Sequence, residues 1–147
     1  WGSGSGLDGI VEGVTKESMS NGTDFLGYVK YPVKDLLNAN YIKAKDYVMY
    51  QYGTDYFSAI PEGAKVLVQN AGKTPISGCI GIFDDAGKAD FEKYNNGIVG
   101  FEYKQGGKDI VSFANTLDQK GHCSDEFKYI SNFLFSRSLS DTAYKAA

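Results

Sequence analysis

The chain has 147 residues, and its 15 basic and 18 acidic residues give a net charge of −3. This length predicts one domain, because two separate cores would leave each half near the limit of independent stability. Hydrophobic residues make up 42% and charged residues 22%, which excludes a disordered tail. Arg137 is the only arginine, which argues against a nucleic-acid partner. The single histidine, His122, excludes mechanisms that need two histidines.

The first six residues alternate glycine and serine after Trp1, a composition typical of an engineered linker. We therefore predict that residues 1–6 are a linker scar and that residues 7–147 form a single globular domain. The sequence does not begin with methionine, so we expect that a signal peptide or membrane anchor was removed from the natural N-terminus. In the sequence given, no stretch approaches the roughly 18 consecutive apolar residues of a transmembrane helix.

Hydrophobic periodicity predicts short helices first and strands afterwards. Apolar residues recur at helical spacing in residues 7–18, and again in residues 33–41 after Tyr31-Pro32. From residue 46 onward the period changes to two, which is typical of strands. The predicted strands are 46–52, 64–70, 76–83, 97–104 and 108–114. The last two of these are expected to form a hairpin across Gln105-Gly106-Gly107.

Residues 127–139 fit two kinds of element. Alternating residues from Tyr129 to Phe135 favour a last strand, whereas Asp125 and Glu126 before them are typical of a helix start. Five or six strands with short connections predict an α+β fold built on a single antiparallel β-sheet. The short N-terminal helices are expected to pack on one face of that sheet.

The two cysteines, Cys79 and Cys123, are open to several interpretations. A small, even number of cysteines favours one disulfide formed in an oxidising compartment, and the alternative is two unpaired thiols. A third interpretation makes Cys79 a nucleophile with His122 as its base. A reactive thiol needs a helix N-terminus or a nearby cation, whereas Cys79 lies in an apolar predicted strand. We therefore favour the disulfide and assign no catalytic residue.

Three carboxylates, from Asp84, Asp85 and Asp90, are candidate ligands for a hard cation such as calcium. The segment lacks the ligand pattern of an EF-hand loop, and Lys88 lies among the candidate ligands. We therefore expect a solvated turn between two strands, with calcium as the weaker alternative. No metal and no cofactor is assigned.

Tyrosine is unusually frequent, with 11 residues in the chain. Tyrosine combines a large contact area with a polar tip, which suits a protein interface. The same residues also suit the outer face of a half-exposed sheet. Either interpretation favours a contact surface over a catalytic pocket. The candidate interface residues are Tyr47, Tyr50, Tyr52 and Tyr56.

The segment that begins at Tyr31-Pro32 resembles type IV pilins and pseudopilins. Leu36-Leu37 and Asn40-Tyr41-Ile42 follow it, as in the pilin segment between the long N-terminal helix and an antiparallel sheet. Cys79 and Cys123 are similar to the disulfide that encloses the C-terminal loop of many pilins. The resemblance implies a non-catalytic, extracellular or cell-surface filament subunit. Its partners would be copies of itself or another surface protein, and a hydrophobic stem would precede it.

A second resemblance is to extracytoplasmic Cache-type sensor domains. Residues 80–88 and 107–114 look like the paired strands of those domains. This resemblance implies a small ligand bound beside an antiparallel sheet. We rank the pilin-like contact module first, the sensor domain second and a small secreted enzyme third.

Overall fold

The protein is described by a computed structural model that covers residues 2–3, 11–19, 25–33, 37–38, 47–51, 54–72, 76, 84–115, 117 and 127–138. Within these residues an eight-stranded sheet is accompanied by two α-helices, which confirms the α+β class. The strands are β1 (Gly2–Ser3), β2 (Thr15–Ser18), β3 (Phe25–Lys30), β4 (Tyr47–Gln51), β5 (Asp55–Ala59), β6 (Lys65–Asn70), β7 (Ile98–Gln105) and β8 (Lys108–Phe113). The helices are α1 (Asp85–Asn95) and α2 (Phe127–Ser138).

The strands follow the order β1-β8-β7-β6-β3-β4, while β5 pairs with both β2 and β7. All pairings among β2 to β8 are antiparallel, as predicted, and the two-residue strand β1 pairs with β8 in parallel. The β7–β8 hairpin is also confirmed. Its turn residues Gly106 and Gly107 have φ of +56° and +76°, values that glycine adopts without strain.

The main core lies between the sheet and α2. It includes Leu67, Val99 and Phe113 from the sheet and Tyr129 from α2. A second cluster is formed by Val11, Phe57, Phe101 and Ala114. Four successive residues of β7, from 99 to 102, are buried. Because successive side chains of a strand point to opposite faces, the sheet is covered on both faces at this point.

The strands predicted at 46–52, 64–70, 97–104 and 108–114 are confirmed as β4, β6, β7 and β8. The strand predicted at 76–83 lies outside the described residues except for Ile76. Two strands, β3 and β5, lie in segments for which the periodicity predicted no element.

The expectation of N-terminal helices packed on the sheet is not confirmed. Residues 15–18 form β2, which pairs with β5, instead of the end of a helix over 7–18. Gly13 precedes this strand with a φ of +79°, which ends any helical run there. Of the helix predicted over 33–41, Val33, Leu37 and Asn38 are described, and Leu37 and Asn38 form a short 3₁₀ turn.

Two further predictions are corrected by the helices. The acidic segment from residue 84 is the start of α1, not a turn between strands. Residues 127–138 are helical, so the strand alternative for 127–139 is wrong. The apolar residues of this segment fit both the two-residue period of a strand and the 3.6-residue period of a helix. In the structure the helix is stabilised by packing of Tyr129 against Phe113 of the sheet.

Candidate functional site

The described residues contain a cleft of about 300 Å³ where β2 and β5 meet the C-terminal end of α1. Strands β6 and β7 contribute the rest of its wall. The lining residues are Glu17, Tyr56, Phe57, Ser58, Gln69, Lys93, Asn96, Gly97 and Ile98.

Strand pairing positions the acidic wall of this cleft. Glu17 on β2 lies opposite Tyr56 on β5 in the strand register. The Tyr56 hydroxyl donates a hydrogen bond of 3.0 Å to Glu17 Oε2. The Tyr56 ring packs edge-on against Tyr94 of α1, with ring centroids 5.8 Å apart. The cleft wall is therefore anchored in the contact between the sheet and α1.

The opposite wall is fixed by hydrogen bonds at the end of α1. Gln69 Nε2 donates to the backbone oxygen of Asn96 at 2.7 Å, and Asn70 Nδ2 donates to the backbone oxygen of Tyr94 at 2.8 Å. Gly97 follows directly and lies against the Tyr56 ring, where an added Cβ would come within 2.6 Å of Tyr56 Cβ. The chain needs glycine at this point because no other residue leaves room for the ring.

The acidic wall holds an ionised glutamate next to a neutral phenol. Hydrogen bonds from Ser58 and Tyr56 lower the pKa of Glu17, with a smaller contribution from the charge of Lys93. Burial and the bond to Glu17 raise the pKa of Tyr56 from 10.0 to about 12. Burial also raises the pKa of Tyr94 above its ordinary value.

The raised pKa of Tyr56 predicts a loss of stability in alkali. The folded chain holds the Tyr56 proton more tightly than the unfolded chain, so this contribution is complete below pH 10 and is lost as the pH rises from about 10 to about 12. Tyrosinate absorbance is titrated in wild type and in Tyr56→Phe. We expect the difference between the two curves to show one step near pH 12, which belongs to Tyr56. The same difference measured in denaturant should show its step near pH 10. A step near pH 10 in the folded protein would contradict the assignment.

The structure places the predicted interface tyrosines differently. The Tyr56 side chain is 2% exposed and packs with Met19 and Tyr94, so its ring does not offer the contact surface predicted for it. Tyr47 and Tyr50 belong to β4, where they pair in register with Val29 and Leu26 of β3. Their side chains lie outside the described part of the structure, and so does Tyr52. The interface role of these three residues stays a prediction.

The cysteine predictions concern residues outside the described ranges. These residues are Cys79, Cys123 and His122. Both the disulfide and the alternative pairing of Cys79 with His122 therefore stay predictions.

The acidic residues proposed as weak calcium ligands are part of α1 and its N-terminal cap. Asp84 Oδ1 accepts a hydrogen bond of 2.7 Å from the backbone amide of Gly87, as an N-cap residue does. Asp85 forms an ion pair with Lys88, with Nζ and Oδ1 2.9 Å apart. Among the residues described, no three side chains of His, Cys, Asp or Glu lie close enough together to hold a metal ion. Asp84, Asp85 and Asp90 therefore do not form such a group.

Two other polar clusters carry balanced charges. Lys65 Nζ lies 2.9 Å from Glu102 Oε2 beside a shallow cleft of about 360 Å³. Asp55 pairs with Lys16 and accepts a hydrogen bond from Ser18. Each carboxylate has a direct partner of opposite charge, which is the usual arrangement of a structural ion pair.

Helix α2 carries an exposed apolar surface that sequence reasoning missed. Phe127, Leu134 and Phe135 are 39%, 61% and 62% exposed, and we call them the outer face of α2. Their spacing of i, i+7 and i+8 is the signal that predicts one helical stripe. The signal was missed because the alternating residues in this segment favoured a strand.

Comparison with known proteins finds no match: no family model, curated protein or solved structure is similar to this chain. Neither helix in the described part of the chain is long and apolar enough to span a membrane.

Proposed function

We propose that this chain is a non-catalytic contact module, a pilin-like subunit that assembles with copies of itself at the cell surface. The observation that carries the proposal is the outer face of α2. Three large apolar side chains on one helix are exposed there, whereas surface helices normally present polar residues to water.

The inner side of α2 is fixed to the domain, so the outer face is presented rigidly. The Tyr129 ring contacts Phe113 with centroids 5.0 Å apart, and its hydroxyl lies 2.7 Å from the Tyr31 hydroxyl. Asn132 Nδ2 donates to the backbone oxygen of Leu37 at 3.2 Å. A surface that is already ordered loses little conformational entropy when it binds.

A second copy of the chain is the partner that this surface favours. An apolar face is complementary to itself, because the same apolar side chains of two copies can pack against each other in an isologous contact. Tyr47 and Tyr50 are the second candidate contact, since they belong to β4, which lies at the end of the strand order. Tyr52 is proposed together with them. The proposed disulfide between Cys79 and Cys123 and the extracellular location belong to the same hypothesis.

The proposal predicts that Phe135→Lys weakens self-association. A buried Phe contributes about 1.5–3 kcal/mol, so we expect the dissociation constant of the assembly to rise by about tenfold to a hundredfold. Sedimentation equilibrium of wild type and variant over a range of concentrations measures this constant. The matched control is Gln105→Lys, which adds the same charge at an exposed position on β7.

The control should associate as wild type does. Because Phe135 is 62% exposed, the melting temperature of Phe135→Lys should stay near that of wild type when both are measured as monomers. A wild-type chain that remains monomeric at every concentration would refute assembly through this face. Equal association of Phe135→Lys and wild type would refute it as well.

A further inference from the structure

The cleft between β2, β5 and the end of α1 has unused hydrogen-bonding groups. Gln69 uses Nε2 to bond Asn96, and Asn96 uses Nδ2 to bond the backbone oxygen of Glu92 at 3.4 Å. Among the described residues neither side-chain carbonyl oxygen has a partner, and an amide oxygen accepts two hydrogen bonds. Both oxygens belong to side chains that line the cleft.

Two charged side chains add further groups to the same cleft. The Glu17 carboxylate accepts a hydrogen bond from Tyr56, and a carboxylate has about four acceptor positions. Lys93, in the last turn of α1, makes no ion pair within the described part of the chain and has three donor hydrogens. The cleft therefore offers acceptors and donors together.

The charges of this cleft balance each other. Glu17 supplies one negative charge and Lys93 one positive charge, and the remaining lining residues are uncharged. The charge of Lys93 lowers the pKa of the Glu17 carboxyl group, and the smaller effect of Asp90, which does not line the cleft, raises it. A ligand with a net charge would meet one like and one opposite charge, so the cleft favours a ligand without net charge. The unused amide oxygens of Gln69 and Asn96 favour one that carries hydroxyl groups.

Size and shape narrow the ligand further. A volume of about 300 Å³ is at the lower end of small-molecule sites, which run from roughly 300 to 1,000 Å³. Ile98 supplies a partly buried apolar wall beside the polar groups. Alternating C–H and O–H groups on a compact ring match such a lining.

We propose that this cleft is a binding site for a neutral polyhydroxylated ligand of the size of one sugar ring. Glu17, Gln69 and Asn96 accept hydrogen bonds from its hydroxyl groups. Lys93 donates to a ring or hydroxyl oxygen, and Ile98 contacts its C–H face. The site lies on α1 and the sheet and does not involve α2, so it is independent of the proposed self-assembly.

The test is a titration of the isotope-labelled full chain followed by amide chemical shifts. The probes are methyl α-glucoside, methyl α-galactoside, methyl α-mannoside and N-acetylglucosamine, each added to about 100 mM, a range that detects millimolar binding. Glycine, a zwitterion without net charge, and sodium acetate, an anion, serve as probes that carry formal charges. We expect at least one sugar to shift the amides of Ser58, Gln69 and Gly97 in a saturable manner.

Variants separate binding from folding. Gln69→Ala and Lys93→Met should each weaken sugar binding by about tenfold, because each removes from the protein a side-chain group that forms a hydrogen bond with the sugar. Gln105→Ala is the matched control for Gln69→Ala and should bind as wild type does. Melting temperatures show whether a variant is folded.

Three results would overturn the proposal. The first is that no sugar shifts these amides in a saturable manner. The second is that glycine or acetate binds at the same amides more tightly than every sugar. The third is that folded Gln69→Ala and Lys93→Met both bind sugar as wild type does. None of these results bears on self-association through α2.

Discussion

Replacing Phe101 by alanine should lower the free energy of unfolding by about 3–5 kcal/mol. The Phe101 side chain is fully buried in the second core cluster. Its ring packs edge-on against Phe57, with centroids 5.1 Å apart. The substitution removes apolar contacts and leaves a cavity that strands β6 and β8, paired on both sides of β7, cannot easily close. Urea denaturation followed by circular dichroism measures the loss.

The matched control is Phe135→Ala, the same chemical change at a residue that is 62% exposed, and all variants are measured at a concentration at which the chain is monomeric. We expect this variant to change the free energy of unfolding by less than about 0.5 kcal/mol. If Phe101→Ala lost as little stability as Phe135→Ala is expected to lose, Phe101 would not be buried as the structure has it.

The second large effect is expected for Gly100→Ala. A Cβ at Gly100 would lie 2.6 Å from the ring of Phe113. Phe113 is a buried residue of β8 whose ring packs against Tyr129 of α2. The ring cannot move away without disturbing the main core, so we expect a loss of about 1–3 kcal/mol in the free energy of unfolding. Thermal and urea denaturation of the variant provide the measurement.

A double-mutant cycle shows whether the ring is the cause. Phe113→Leu shortens the side chain that Gly100→Ala would meet. The double variant should therefore lose less stability than the sum of the two single variants, by at least about 0.5 kcal/mol. Strict additivity would mean that the alanine is accommodated without touching Phe113.

The candidate cleft is formed by residues that are far apart in the sequence, so no local pattern predicted it. Glu17 and Tyr56 are 39 positions apart, and they meet because β2 and β5 pair in register. The sequence predicted a helix over 7–18, since apolar residues recur there at helical spacing. Pairing with β5 satisfies the backbone of residues 15–18 as a strand, which overrides the local preference.

Helix α1 was missed for a related reason. Asp84 is an N-cap residue and Asp85 suits the first turn, but Gly87 within the segment favoured a turn. The end of α1 is held by Asn70 and Gln69 of β6, whose side chains bond the backbone of residues 94 and 96. Contacts distant in sequence therefore stabilise a helix whose local signal is weak.

Local sequence patterns are sufficient to predict the α+β class, the antiparallel strands β4, β6, β7 and β8 and the β7–β8 hairpin. Period-two alternation and the Gly106-Gly107 turn are local signals that can be read without knowledge of any tertiary contact. The tertiary structure decided the helical state of α2, the strand state of β2, the burial of Tyr56 and the position of the cleft. These features depend on which surfaces meet, and the free energy of burying apolar side chains between them exceeds the small differences in local propensity.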